Sequence, residues 1–133
     1  MDIKRPTLYE AAWLSALAST LEGERKRARL SRMALAAKVG ISDQTVMRYE
    51  RQTREMTVPN LMALIEALDM TVEDFVSIAR ARAEVEYRAL LRTDELAERR
   101  ERDRLSVPPR NLQAVADSNV GADEEVEGRQ EEP

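Results

Sequence analysis

The chain of 133 residues contains no cysteine and no histidine. Without cysteine there are no disulfides, no thiolate metal sites and no sulfur nucleophile. Without histidine the usual general base, the Ser–His pair and the commonest metal ligand are missing too. Aromatic residues are scarce, at 4%, while 35% of the chain is charged. That balance favours a small helical domain with a modest core over a large enzyme fold. No glycine-rich phosphate loop is present and no carboxylate spacing asks for acid–base chemistry, so an enzyme is not expected, nor a metal or a cofactor. No apolar run approaches the ~18 residues of a membrane span. The first ten residues, MDIKRPTLYE, lack the apolar segment of a signal peptide. A soluble, cytoplasmic protein that avoids membranes is expected.

What the chain has is charge, unevenly placed. The net charge is −4. Residues 21–54 hold nine bases and four acids, a local +5, whereas residues 105–133 hold seven acids and two arginines, a local −5. A basic region is followed by an acidic tail.

Apolar spacing divides the rest into helices. Residues 1–6 read as a short arm carrying Lys4 and Arg5. Thr7 and Glu10 stand at capping-box spacing, which predicts a helix start there. Leu14, Leu17, Ala18, Leu21 and Ala28 then form its apolar face; Gly23 is a weak point where a bend would fall. Trp13 is expected as a core or edge anchor. A second helix follows Ser31 as N-cap, with Met33, Leu35, Ala36 and Val39 for the core, and stops at Gly40. A third starts behind Ser42. A fourth starts behind Thr57, with Pro59 tolerated in its first turn. Its inward residues are Leu61, Leu64, Ile65 and Leu68, and Asp69 stands where a glycine or asparagine stop is expected. A fifth starts at Thr71 with Phe75, Val76, Ile78 and Ala79 in the core. Beyond Arg80 acids and arginines alternate, as in a solvated helix, with a break expected at Thr93. Residues 106–133 have too little apolar surface to offset the entropy of ordering and are expected to be a disordered acidic tail.

The stretch LAAKVGISDQTVMRYERQ carries the function. Two short helices joined by a glycine turn, one set across the other, make a helix-turn-helix. Val46 and Tyr49 bind the second helix to the bundle. Its other side chains are polar and face outward, and an α-helix fits the major groove of B-DNA.

Residues 17–75 resemble the lambda-repressor-like family of Cro and XRE-type regulators. The resemblance rests on LSRMALAAKVGISDQTVMRYER followed by LMALIEALDMTVEDF. It implies an all-α, five-helix domain over residues 7–79, here with extended first and last helices, and a double-stranded DNA operator as partner. Carried over by position, it implies base contacts by Asp43, Gln44, Thr45, Met47 and Arg48. Arg48 suits guanine and Gln44 adenine; Asp43 suits cytosine or simply the helix N-terminus. Phosphate contacts fall to Arg32, Ser42, Arg51, Thr53 and Arg54, with Lys38 peripheral. The family commonly has glutamine where Arg32 stands. Arg25 and Glu50 occupy the positions of a structural ion pair.

Two segments exceed a minimal family domain. Residues 1–16 lengthen the first helix, to pad the core with Trp13 and Leu14, to contact a dimer partner or to bring Lys4 and Arg5 to DNA. Residues 80–105 form a charged helical extension, for which three uses are open. It can pair two copies through Val76, Ala83, Tyr87 and Leu90, giving a homodimer on a palindrome. It can add DNA contacts to a monomer. Or it can bind another protein. The first is preferred. The reading is a transcription regulator, a repressor of phage or prophage type. The alternative is an antitoxin-type regulator that binds a toxin through residues 80–133.

Overall fold

The computed structural model describes residues 1–106. They form five α-helices, α1 (Pro6–Arg27), α2 (Arg32–Val39), α3 (Asp43–Glu50), α4 (Val58–Ala67) and α5 (Val72–Leu105), and no strand among the described residues. The acidic tail of the sequence reading lies, apart from Ser106, outside them. Residues 1–93 form one compact unit, and the described residues from 94 to 106 belong to a second.

Helix starts follow the hydroxyl caps. Ser31, Ser42 and Thr57 each accept a hydrogen bond from the amide three residues on, Ala34, Thr45 and Asn60, at 3.0, 3.1 and 3.2 Å. Thr71 does the same for Asp74 at 3.0 Å. Each such cap contributes about 1 kcal/mol. The first helix differs from expectation. It starts at Pro6, one residue before Thr7, and its N-cap, Arg5, makes no side-chain cap. Proline has no N–H to leave unsatisfied and its φ suits the first helical position. The Thr7–Glu10 capping box therefore does not form.

Helix stops share one device. Arg29, Gly40, Gln52 and Asp69 have φ of 60°, 86°, 60° and 64°. After each, an amide reaches back five residues: Leu30 to Arg25, Ile41 to Ala36, Thr53 to Arg48 and Met70 to Ile65, at 3.0–3.3 Å. This is the Schellman ending. A Cβ placed on Gly40 would meet nothing within 4 Å, so glycine serves the backbone there and not the packing. The other three stops are made by residues that disfavour the left-handed region.

The main core gathers Leu21, Leu35, Ala36, Val46, Tyr49, Leu64, Ile65, Leu68 and Phe75. α2 packs against α3 and α4, and α1 against α3. Two expected core residues are outside. Met33 is 68% exposed, because it precedes Leu35 by two residues, about 200° around the helix. Ala28 is the C-cap of α1 and is also exposed. Trp13 and Leu14 are half-buried.

A second set of buried residues, Ala12, Ala16 and Ala18 of α1 and Ala79, Ala83 and Tyr87 of α5, continues the packing beyond residue 79. The Tyr9 and Tyr87 rings meet edge to face, 5.7 Å between centroids. The Tyr87 hydroxyl accepts from the Lys4 and Arg5 amides at 2.6 and 2.9 Å. This corrects two of the four residues expected at a dimer seam: Ala83 and Tyr87 are 0% and 2% exposed within a single chain, while Val76 and Leu90 are half-buried. The lengthened front of the chain already covers Tyr87, so neither residue is free to face a second copy. The expected break at Thr93 is also absent. Its hydroxyl donates to the Ala89 carbonyl at 3.1 Å, inside an unbroken α5. Over residues 94–105, Leu96 and Leu105 are exposed and Arg104 pairs with Glu101.

Candidate nucleic-acid interface

α3 presents two unlike faces. Val46, Tyr49 and Glu50 are buried, while Asp43, Gln44 and Arg48 are exposed and Thr45 and Met47 half-buried. The five residues assigned to base contacts thus lie on or beside the side of α3 that the core leaves open. Arg48 Nη2 donates to Gln44 Oε1 over a long 3.4 Å, one turn apart.

The back of α3 is pinned at both ends. At its start, Ser42 Oγ accepts from the Thr45 amide and lies 2.9 Å from Thr45 Oγ1. At its end, the Tyr49 hydroxyl accepts from Asn60 Nδ2 at 2.7 Å, which ties α3 to the first turn of α4. Glu50 sits between two arginines. Arg25 Nε donates to Glu50 Oε2 at 2.7 Å and Arg25 Nη2 to Oε1 at 3.1 Å. Arg25 Nη1 donates to the Leu30 carbonyl at 2.9 Å. Arg32 Nε donates to Glu50 Oε1 at 2.9 Å. The hydrogen bond to Glu50 holds the Arg25 guanidinium above its ordinary range, against the opposing effect of burial.

The residues assigned to phosphates divide into two groups. Lys38, Arg51 and Arg54 are exposed, each with its charge in solvent. Ser42, Arg32 and Thr53 already have work inside the protein. Ser42 is the cap of α3, Arg32 is bonded to Glu50, and the Thr53 hydroxyl lies 3.4 Å from the Arg48 carbonyl. The structure brings Arg25 and Glu50 together across 25 positions of sequence. Sequence reasoning missed Arg32 on Glu50 and Asn60 on Tyr49. A signal existed for the first: a base opens α2 and an acid closes α3, each against its helix dipole. Among the described residues no three His, Cys, Asp or Glu side chains are grouped to hold a metal, and no helix is long and apolar enough to cross a membrane.

Residues 21–75 match the family model described as helix-turn-helix. Neither the curated proteins nor the solved structures give a match to the chain. The matched segment begins in the last turns of α1 and ends at Phe75, so it contains the whole main core and every residue assigned to DNA. The chain therefore carries, over residues 21–75, a Cro/C1-type helix-turn-helix domain of the lambda-repressor-like family, the DNA-binding domain of transcription regulators.

Proposed function

We propose that the protein is a sequence-specific repressor of phage or prophage type that reads the major groove of double-stranded DNA with the helix over residues 43–51. Asp43, Gln44, Thr45, Met47 and Arg48 meet base edges. Arg32, Arg51 and Arg54, with Thr53 and Ser42, hold phosphates on either side, and Lys38 lies at the edge. One observation supports this best: α3 is fastened from behind by Val46, Tyr49 and Glu50 while Gln44 and Arg48, the two side chains suited to paired hydrogen bonds with bases, stand exposed on its outer face. Such a protein works at the nucleoid, in the cytoplasm of a bacterium.

Selection of bound duplexes from a random pool, followed by footprinting, tests the reading. Arg48→Ala should weaken the selected site by roughly 1–3 kcal/mol and relax its preference at one position. Arg51→Ala should weaken all duplexes alike. With roughly six phosphates neutralised, log affinity should fall against log salt with a slope near −5. A wild-type chain that enriches no sequence sinks the proposal. The same footprint separates a two-fold dimer, with half-sites about 34 Å apart, from a monomer on an asymmetric site. Purification with a stoichiometric second protein would favour the antitoxin reading for residues 80–133.

A further inference from the structure

A cleft of about 240 Å³ lies where α1, the loop after α3 and the start of α4 meet. Its walls are the side chains of Leu14, Leu17, Met56, Val58 and Leu61, together with Tyr49. Leu17, Met56 and Leu61 also pack against the main core, so the walls are fixed by the fold itself. Val58 stands at the lip, 68% exposed.

The rest of the lining is polar. Gln52, Arg54 and Glu55 complete it, and all three are exposed. Arg54 and Glu55 are the only charged side chains of the lining, one of each sign. Neither makes an ion pair or a side-chain hydrogen bond with any described residue. The cleft therefore joins an apolar interior to one unpaired cation and one unpaired anion.

That combination selects its occupant. Drug-sized pockets begin at ~300 Å³, so the molecule that fits is smaller, of roughly ten non-hydrogen atoms. Its body is apolar, because the walls are. Its head carries both charges, a carboxylate for the guanidinium fork of Arg54 and a cation for Glu55. A fatty acid or an aliphatic amine would satisfy one of the two and face the other with a like charge.

We propose that this cleft binds a free apolar α-amino acid of the size of leucine or phenylalanine, with its side chain among Leu14, Leu17, Met56 and Leu61, its carboxylate on Arg54 and its ammonium on Glu55. The site stands on the cleft alone; its consequence for DNA rests on the reading of α3 given above. Arg54 is one of the cations assigned to phosphates, and a guanidinium held by the amino acid is withdrawn from the duplex. Amino acid and duplex therefore oppose each other, and each weakens the other by the same factor. The protein leaves its operator as the amino acid accumulates.

Ligand-detected NMR on the full chain, without DNA, tests the cleft. Leucine and phenylalanine are titrated beside 4-methylpentanoate, which lacks the ammonium of leucine, and leucinamide, which lacks the carboxylate. Leucine or phenylalanine should bind with a Kd of roughly 0.1–1 mM, and both truncated relatives about tenfold more weakly. Glu55→Gln should lose about tenfold for the amino acid without weakening the duplex, with the melting midpoint as a check of folding. In a salt series with the selected duplex, saturating amino acid should reduce the wild-type slope by about one and leave that of Arg54→Ala where it is. Absence of binding by both amino acids at about 10 mM overturns the proposal. So does a truncated relative that binds as well as leucine, or Glu55→Gln matching wild type. A stable dimer in sedimentation that Val58→Asp dissociates assigns the cleft to a second copy and overturns it too. An unchanged slope in wild type overturns the opposition to DNA. A wild-type chain that prefers no duplex overturns the reading of α3 instead, and the titrations without DNA still decide the cleft.

Discussion

Replacing Arg25 by alanine tests how the recognition helix is held. The side chain makes three hydrogen bonds, two to Glu50 and one to the Leu30 carbonyl. Its loss leaves the Glu50 carboxylate, 1% exposed, with Arg32 alone. Removing one partner of a buried pair costs ~3–5 kcal/mol, because the other charge stays buried. The remaining bond from Arg32 places Arg25→Ala at the lower end, about 3 kcal/mol. For a domain of this size 1 kcal/mol moves the midpoint by about 4–8 °C, so the drop should be roughly 12–24 °C. Thermal unfolding followed by circular dichroism measures it. Adding Glu50→Gln to Arg25→Ala should return part of the loss, because the stranded charge is then gone. The pair should also be insensitive to alkali. A cation whose folded pKa is raised contributes fully below its unfolded value and is lost only as pH rises through the folded one, and for Arg25 both lie above the range in which proteins are handled. A midpoint within about 3 °C of wild type would refute the reasoning, since no buried charge could then have been stranded.

Three further outcomes follow from the fold. Asp69→Gly should raise stability by about 0.5–1 kcal/mol in the same melt, because glycine accepts the left-handed φ of 64° that aspartate disfavours; a loss would show that the Asp69 side chain matters there. Ala83→Leu should destabilise the chain by about 1–3 kcal/mol, since Ala83 is fully buried. A stable variant with a changed oligomeric state would reinstate the dimer seam. Glu22, held below the usual carboxylate range chiefly by its hydrogen bond to Lys26, should contribute only a few tenths of a kcal/mol, because the pair is solvent-exposed. That contribution is present above the ordinary glutamate pKa and fades as pH falls through the lowered one. A wild-type-minus-Glu22→Gln difference that grows in acid contradicts it.

Much of the site was legible because its determinants are local. Ser31, Ser42 and Thr57 cap their helices through bonds to amides three residues away, and such bonds need nothing from the rest of the chain. Gly40 ends α2 because of its own backbone freedom. The outward set on α3 could be read by subtraction: once Val46 and Tyr49 are assigned inward, helical geometry leaves Gln44 and Arg48 outside. The Thr7–Glu10 pattern is equally local and was misleading, because Pro6 is a better first helical residue than Thr7 is a cap. Thr93 misled for a related reason, its hydroxyl finding the Ala89 carbonyl within the helix.

The sequence by itself determined five helices, the caps of the second, third and fourth, the glycine turn between the second and third, and the polarity of the third, since each depends on side chains within one turn of each other or on a single backbone angle. Tertiary structure decided what the spare residues do. Tyr87 is 82 and 83 positions from the two amides it receives, and Arg32 is 18 from the carboxylate it holds. Periodicity marks such residues only as apolar or charged. Whether a buried face is closed by its own chain or left for a partner, and whether an arginine reaches outward or inward, depends on which groups folding brings within 3 Å.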